Sequence, residues 1–154
     1  MQSDPNQPVA LHLLGVLAHQ AGKHDIAVDR ITRALNLKPD YAEANYNLGT
    51  AFQDLGTFEE AVASYGKALE INPRYSKAHF HLASAYKKSG RAEEALKEIN
   101  TALNLNPNFA KAHYLKGLIL FGTGVAEASI SAFKEALKIQ PNFAEARYYL
   151  GVHY

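Results

Sequence analysis

Five of the six prolines in this 154-residue chain stand at 5, 39, 73, 107 and 141, each 34 residues after the last. A ruler that regular argues against one irregular core and for a small unit that is repeated and stacked. Other columns keep the same spacing. Ala34, Ala68, Ala102 and Ala136 fall five residues before the later prolines, with Leu35, Leu69, Leu103 and Leu137 beside them. Gly15, Gly49, Gly117 and Gly151 form another column in which Ala83 takes the third place, and Ala27, Ala61, Ala95 and Ser129 form one more.

Each unit divides into two helical stretches. Over 42–55, Leu48, Ala51, Phe52 and Leu55 recur at helical spacing, and over 58–71 a second stripe runs through Ala61, Tyr65, Ala68 and Leu69. Gly56 ends the first stretch and Thr57 is placed to cap the second, which Asn72-Pro73 closes because proline lacks an amide donor and disfavours helix before it. Gly49, Ala61 and Ala68 let two backbones approach closely, while Leu48, Phe52 and Tyr65 fill the space left. Such a pair cannot bury both its faces alone, so neighbours must stack. Gly66 within a helix and Gly122 and Gly124 around the fourth turn are expected soft spots.

Composition removes several function classes. Sixteen basic against 15 acidic residues give a formal charge of +1 with both signs interspersed, which leaves no footprint for nucleic acid. No cysteine means no disulfide, thiolate metal site or cysteine nucleophile. The longest apolar run, near Leu118 to Phe121, is too short for membrane insertion. Residues 1–8 lack a basic start followed by an apolar stretch, so no signal peptide is expected and a cytoplasmic location is slightly favoured. Of seven histidines, His79 and His81 point apart on a helix, and His79 and His113 sit in successive repeats, about 8–10 Å or more apart. No metal set is expected from them. Hydrolase and phosphate-loop motifs are absent from the sequence, and Glu59-Glu60 and Glu93-Glu94 suit helix N-termini, so no catalysis and no cofactor is expected.

With these columns in place, the chain resembles the tetratricopeptide repeat family, whose 34-residue pattern is W-x2-L-G-x2-Y…A-x3-F…P. Unit two reads Asn45-x2-Leu48-Gly49-x2-Phe52…Ala61-x3-Tyr65…Pro73, and unit three His79-x2-Leu82-Ala83-x2-Tyr86…Ala95-x3-Ile99…Pro107. The repeats are 8–41, 42–75, 76–109 and 110–143, with the first helix of a partial fifth over 144–154. Lys116 departs from the pattern where leucine is usual, and is expected to lay its stem on apolar neighbours with its ammonium in water. The resemblance implies an all-α solenoid of stacked antiparallel helix pairs in a right-handed superhelix, with the first helices lining a concave groove.

Carried over by position, the resemblance makes Glu43, Tyr46, Asn47, Thr50, Lys77, Phe80, His81, Ser84, Lys87, Lys111 and Tyr114 the candidate peptide-binding residues. The fifth-place aromatics also suit packing, as do Tyr41, Tyr75, Phe109 and Phe143 after each turn. The lysine-and-asparagine clamp of chaperone-tail binders is matched by Asn47 and Lys77, but His12, Val16 and His81 depart from it. The leading expectation is a non-catalytic interaction scaffold that binds an extended peptide or a helix. One alternative is self-assembly, head to tail, through Leu11 and Leu14 at one end and Tyr148, Leu150, Val152 and Tyr154 at the other. Another is an arm of a larger glycosyltransferase, since Lys-Pro-Asp-Tyr-Ala-Glu-Ala looks like the repeat arms of O-linked N-acetylglucosamine transferases and their bacterial relatives. Of the asparagine ladder in those arms only Asn47 is present.

Overall fold

The computed structural model of the chain describes residue 4 and residues 6–153, the side chains of 152 and 153 aside. Among the described residues the regular structure is helical: α1 (Gln7–Gln20), α2 (His24–Leu37), α3 (Ala42–Asp54), α4 (Phe58–Ile71), α5 (Ser76–Lys88), α6 (Ala92–Leu105), α7 (Ala110–Gly122), α8 (Ala126–Ile139) and α9 (Ala144–His153). Odd-numbered helices are the first of each pair. Extensive contacts join helices adjacent in the chain and slighter ones join helices next-but-one, which makes the fold a solenoid. None of these helices is long and apolar enough to cross a membrane.

The pairs are held at one repeated contact. A Cβ built on Gly49 would meet the Tyr65 ring at 2.6 Å, one on Gly117 the Phe133 ring at 2.5 Å, and one on Gly15 the Ile31 side chain at 2.5 Å. In each case the large residue lies 16 positions on, on the second helix. Ala83 and Ile99 hold those places in the third unit and are both fully buried. Ala27, Ala34, Ala61, Ala68, Ala95, Ala102 and Ala136 are likewise buried and let the second helices pack closely on both sides.

The turns between paired helices are built alike. Gly56 adopts φ +80°, its N–H donates to Gln53 O at 3.0 Å and the Thr57 N–H donates to Phe52 O at 3.0 Å. This is the Schellman ending, which asks for a left-handed residue that glycine supplies without a Cβ penalty. Gly22, Gly90 and Gly124 repeat it at φ +77°, +79° and +81°. The fourth turn, expected to be loose, therefore keeps the common form, with Val125 N–H donating to Leu120 O. Two local expectations need correction. The Thr57 hydroxyl makes no cap to α4; it donates back to Phe52 O at 2.9 Å, inside the turn. Leu55 is exposed and not core, because it sits at the C-cap, past the last residue of α3.

The register carries a paired stability test. Gly117→Ala should destabilise the chain by about 1–3 kcal/mol, because the methyl enters the space of the Phe133 ring. Gly66→Ala, where the added methyl meets nothing beyond its own stretch of helix within 4 Å, should stabilise it by about 1 kcal/mol through helix propensity. Urea denaturation of both variants measures the two signs; the same sign at both positions would contradict the packing.

Candidate functional site

The first helices lie side by side, and aromatic rungs join them to the turns that follow. His12 packs on Tyr41 at 4.8 Å between ring centroids, Tyr46 on Tyr75 at 5.0 Å, Phe80 on Phe109 at 4.9 Å and Tyr114 on Phe143 at 4.8 Å. Each pair is 29 residues apart. A second column ties the turns down from the other direction. Asn45, His79, His113 and Arg147 donate side-chain hydrogen bonds to the carbonyls of Pro39, Pro73, Pro107 and Pro141, respectively, six residues back. His79 and His113 thus serve the turns.

Two cavities open on the first-helix face. One, of about 380 Å³, is lined by Phe80, Ser84, Lys87, Lys88, Lys111 and Tyr114, with Leu115, Leu118, Phe143 and Glu145 completing it. The other, of about 320 Å³, is lined by Tyr46, Asn47, Thr50 and His81, together with Val16, His19, Gln20, Gln53, Asp54 and Tyr65. Nine of the eleven candidate groove residues therefore divide between two sites, while Glu43 and Lys77 are exposed outside both. A larger cavity of about 670 Å³ lies between α2 and α4, where Thr32, Asn36, Lys67 and Glu70 give it no convergent chemistry.

Three matches to the family described as Tetratricopeptide repeat cover residues 12–76, 52–119 and 110–143. The chain is an array of tetratricopeptide repeats. No curated protein matches it by sequence. In fold it is similar to a crystal structure of the MamA protein, at 24% identity and TM-score 0.90 over 98% of this chain and 82% of that one. It is similar to YrrB, described as a TPR protein with an unusual peptide-binding site, at 23% identity and TM-score 0.82 over 98% and 78% of the two chains. The first TPR of Spaghetti (RPAP3), solved bound to the HSP90 peptide SRMEEVD, gives 25% identity and TM-score 0.71 over 73% of this chain and 89% of that one.

Within the tetratricopeptide array, several groove candidates are tied to one another. Asn47 Nδ2 donates to His12 Nε2 at 2.8 Å, so the proton of neutral His12 sits on Nδ1, 3.0 Å from the Tyr41 hydroxyl. His12 is 2% exposed, and burial holds its pKa below the usual value against the pull of Glu43. The Thr50 hydroxyl turns back to Asn47 O at 2.8 Å. The Tyr65 hydroxyl donates to Gln53 Oε1 at 2.8 Å, and Gln53 Nε2 donates to Ser84 Oγ at 3.0 Å, linking α4, α3 and α5 across the floor. Lys87 and Lys111 are exposed, and Lys88 lies 5.9 Å from the Phe58 ring centroid.

His81 stacks on Tyr65 at 5.9 Å and meets Tyr46 and Phe80 edge-on. Burial lowers its pKa to about 4; Asp54 opposes that shift, and Lys111, Lys77 and Lys88 reinforce it. His79 goes the other way, since its hydrogen bonds to Glu98 and to the Pro73 carbonyl outweigh burial and raise it. Lys116, partly buried, borders a cavity of about 210 Å³ with His113 and Glu135 between α7 and α8, away from the groove. Of the end-contact candidates, Leu14 and Tyr148 are exposed, Leu11 is half-buried and Leu150 packs on the Phe133 cluster. Tyr154 and the Val152 side chain lie outside the described residues.

Sequence reasoning missed the bridge that Gln53 makes between Tyr65 and Ser84. It also missed the grouping of His19, His24 and Asp54, whose ligand atoms lie within 4.8 Å of one another. The signal was a histidine on each side of the first turn, together with an acid 35 residues after the first of them.

Acid should act through His81. Its pKa is depressed in the folded chain, so the stability it contributes is complete above the unfolded value of about 6.5 and is lost as pH falls from there toward about 4. His81→Leu should remove about 3 kcal/mol of that loss. The check is the difference in unfolding free energy between pH 7 and pH 4 in the two proteins; equal differences would show that His81 is not held neutral.

Proposed function

We propose that the array is a non-catalytic interaction scaffold, and that its first-helix face holds an acidic peptide segment with an apolar anchor. The observation that carries this is the cavity lined by Phe80, Tyr114 and Leu118 and flanked by Lys87, Lys88 and Lys111. An apolar floor with convergent cations suits a side chain such as leucine followed by carboxylates, and Glu145 at the rim sets one boundary to where those carboxylates sit. The RPAP3 domain, with its acidic HSP90 peptide, supports peptide binding as a use of this architecture. The lysine-and-asparagine clamp of chaperone-tail binders is not assembled here, because His12 is buried in a neutral network that also occupies Asn47.

A fluorescent decapeptide of alternating leucine and glutamate tests the reading, with a leucine–lysine counterpart as control. The acidic peptide should bind at least about tenfold more tightly, and the difference should shrink as salt is raised. Lys87→Glu with Lys111→Glu should abolish the preference. Equal binding of both peptides to the unaltered chain sinks the assignment.

A second reading rests on α1, whose outer face leaves Leu13, Leu14 and Leu17 at 55%, 52% and 61% exposure beside Val9. Apolar surface of this kind marks an interaction face. A second copy offering α9, where Tyr148 is 67% exposed, would cover it and extend the solenoid head to tail. Molar mass by light scattering over a concentration series should rise, and Leu13→Glu with Leu17→Glu should hold the chain monomeric. A monomer throughout removes this reading and leaves the peptide site untouched.

A further inference from the structure

The turn between α1 and α2 gathers three side chains that the groove does not use together. His19 lies in the last turn of α1, His24 opens α2, and Asp54 ends α3 in the next repeat. His19 Nε2 is 2.6 Å from Asp54 Oδ2, and the two imidazole rings are 5.0 Å apart between centroids. One ligand atom from each residue falls within 4.8 Å of the others. His24 Nδ1 is buried with no hydrogen-bond partner, an uncommitted ring nitrogen beside a histidine–carboxylate pair.

We propose that His19, His24 and Asp54 bind a divalent transition-metal ion of the zinc type. Two imidazoles with one carboxylate form a donor set for such an ion, whereas calcium and magnesium prefer oxygen ligands throughout. Around a tetrahedral ion with bonds of about 2.0–2.2 Å the ligand atoms stand roughly 3.3–3.6 Å from one another, so binding opens the 2.6 Å His19–Asp54 pair by somewhat under an ångström and draws His24 in by about as much, rotations open to residues at helix ends. The ion takes the place of the proton that His19 and Asp54 share, which passes to His19 Nδ1 or to water. His19 and Asp54 also border the cavity of about 320 Å³ on the first-helix face, so the ion's remaining coordination position opens toward the groove. Lys23 and Asp25, opposite in sign, flank His24 on the other side.

The equivalent places one repeat on show how particular this interface is. There Gln53, Phe58 and Lys88 stand for His19, His24 and Asp54, and the Lys88 ammonium lies 5.9 Å from the Phe58 ring centroid. The fold brings these positions together at that interface too, but the side chains there carry no ligand set. The ion would join three helices and two repeats at the first interface, where direct contact between α1 and α3 is slight.

The proposal does not rest on a peptide in the cavity lined by Phe80 and Tyr114, and its test uses the untagged full chain stripped with a chelator. Zinc titrated by calorimetry should bind with one ion per chain, and His24→Ala or Asp54→Asn should each weaken it at least about tenfold. His113→Gln, far from the site, should leave it unchanged. With zinc at about a hundred times its Kd, Tm should rise by about 5–10 °C in the unaltered chain and not in the two site variants. Cobalt(II) should give the intense visible bands of a four- or five-coordinate ion. A cobalt spectrum like that of the aqua ion overturns the proposal whatever the variants do, as does zinc affinity unchanged in His24→Ala and Asp54→Asn.

Discussion

The distance at which the two helices of a pair can meet governs the rest of the molecule. Glycine or alanine at one place, and an isoleucine, tyrosine or phenylalanine 16 residues later, fix that distance at Gly15–Ile31, Gly49–Tyr65, Ala83–Ile99 and Gly117–Phe133. The large partner is fully buried in every unit, so backbone proximity and side-chain volume are set together. Once a pair is closed in this way, its aromatic fifth place is presented to the next turn, and the 29-residue rungs follow. The spacing of the cavities on the first-helix face is a consequence of those rungs.

Packing and recognition share residues on this face. Tyr46, Phe80 and Tyr114 each have one ring face against the following turn and also line a cavity. The polar residues divide differently. His12, Asn47, Thr50, Gln53 and Ser84 spend hydrogen-bonding groups on one another, whereas Lys87 and Lys111 extend into water. The face therefore has a fixed amide and imidazole floor at one end and adaptable cations at the other, which favours distinct chemistries in the two cavities.

The array was legible in the sequence because its constraints repeat. A glycine opposite Tyr65 is one residue, but a small residue recurring every 34 positions before a large one is a register, and helix bounds follow from it to within a residue or two. Local detail was less visible. Thr57 has the right identity for a cap, yet the Schellman turn offers its hydroxyl a nearer acceptor in Phe52 O. Leu55 continues an apolar stripe in the sequence although the helix has already ended. The candidate surface was legible as a set of positions and not as a geometry. Its split into two cavities depends on ring orientations, and links such as Asn47 to His12 or Asp54 to His19 join residues 35 apart, one place out of step with the repeat.

Because the main contacts among the described residues reach no farther than the next repeat, the solenoid is mechanically a set of joints in series. A small rotation at each interface adds along the chain, so the array is more compliant end to end than within any pair. The two cavities divide the joints between them: one spans α1, α3 and α5, the other α5, α7 and α9. Each cavity therefore straddles two joints and both share α5, so stretching or twisting the array changes the shape of each lining as well as the span of the two together. A ligand long enough to occupy both would hold the spring at one extension, and a pull on the ends would be felt as a change in how well that ligand fits.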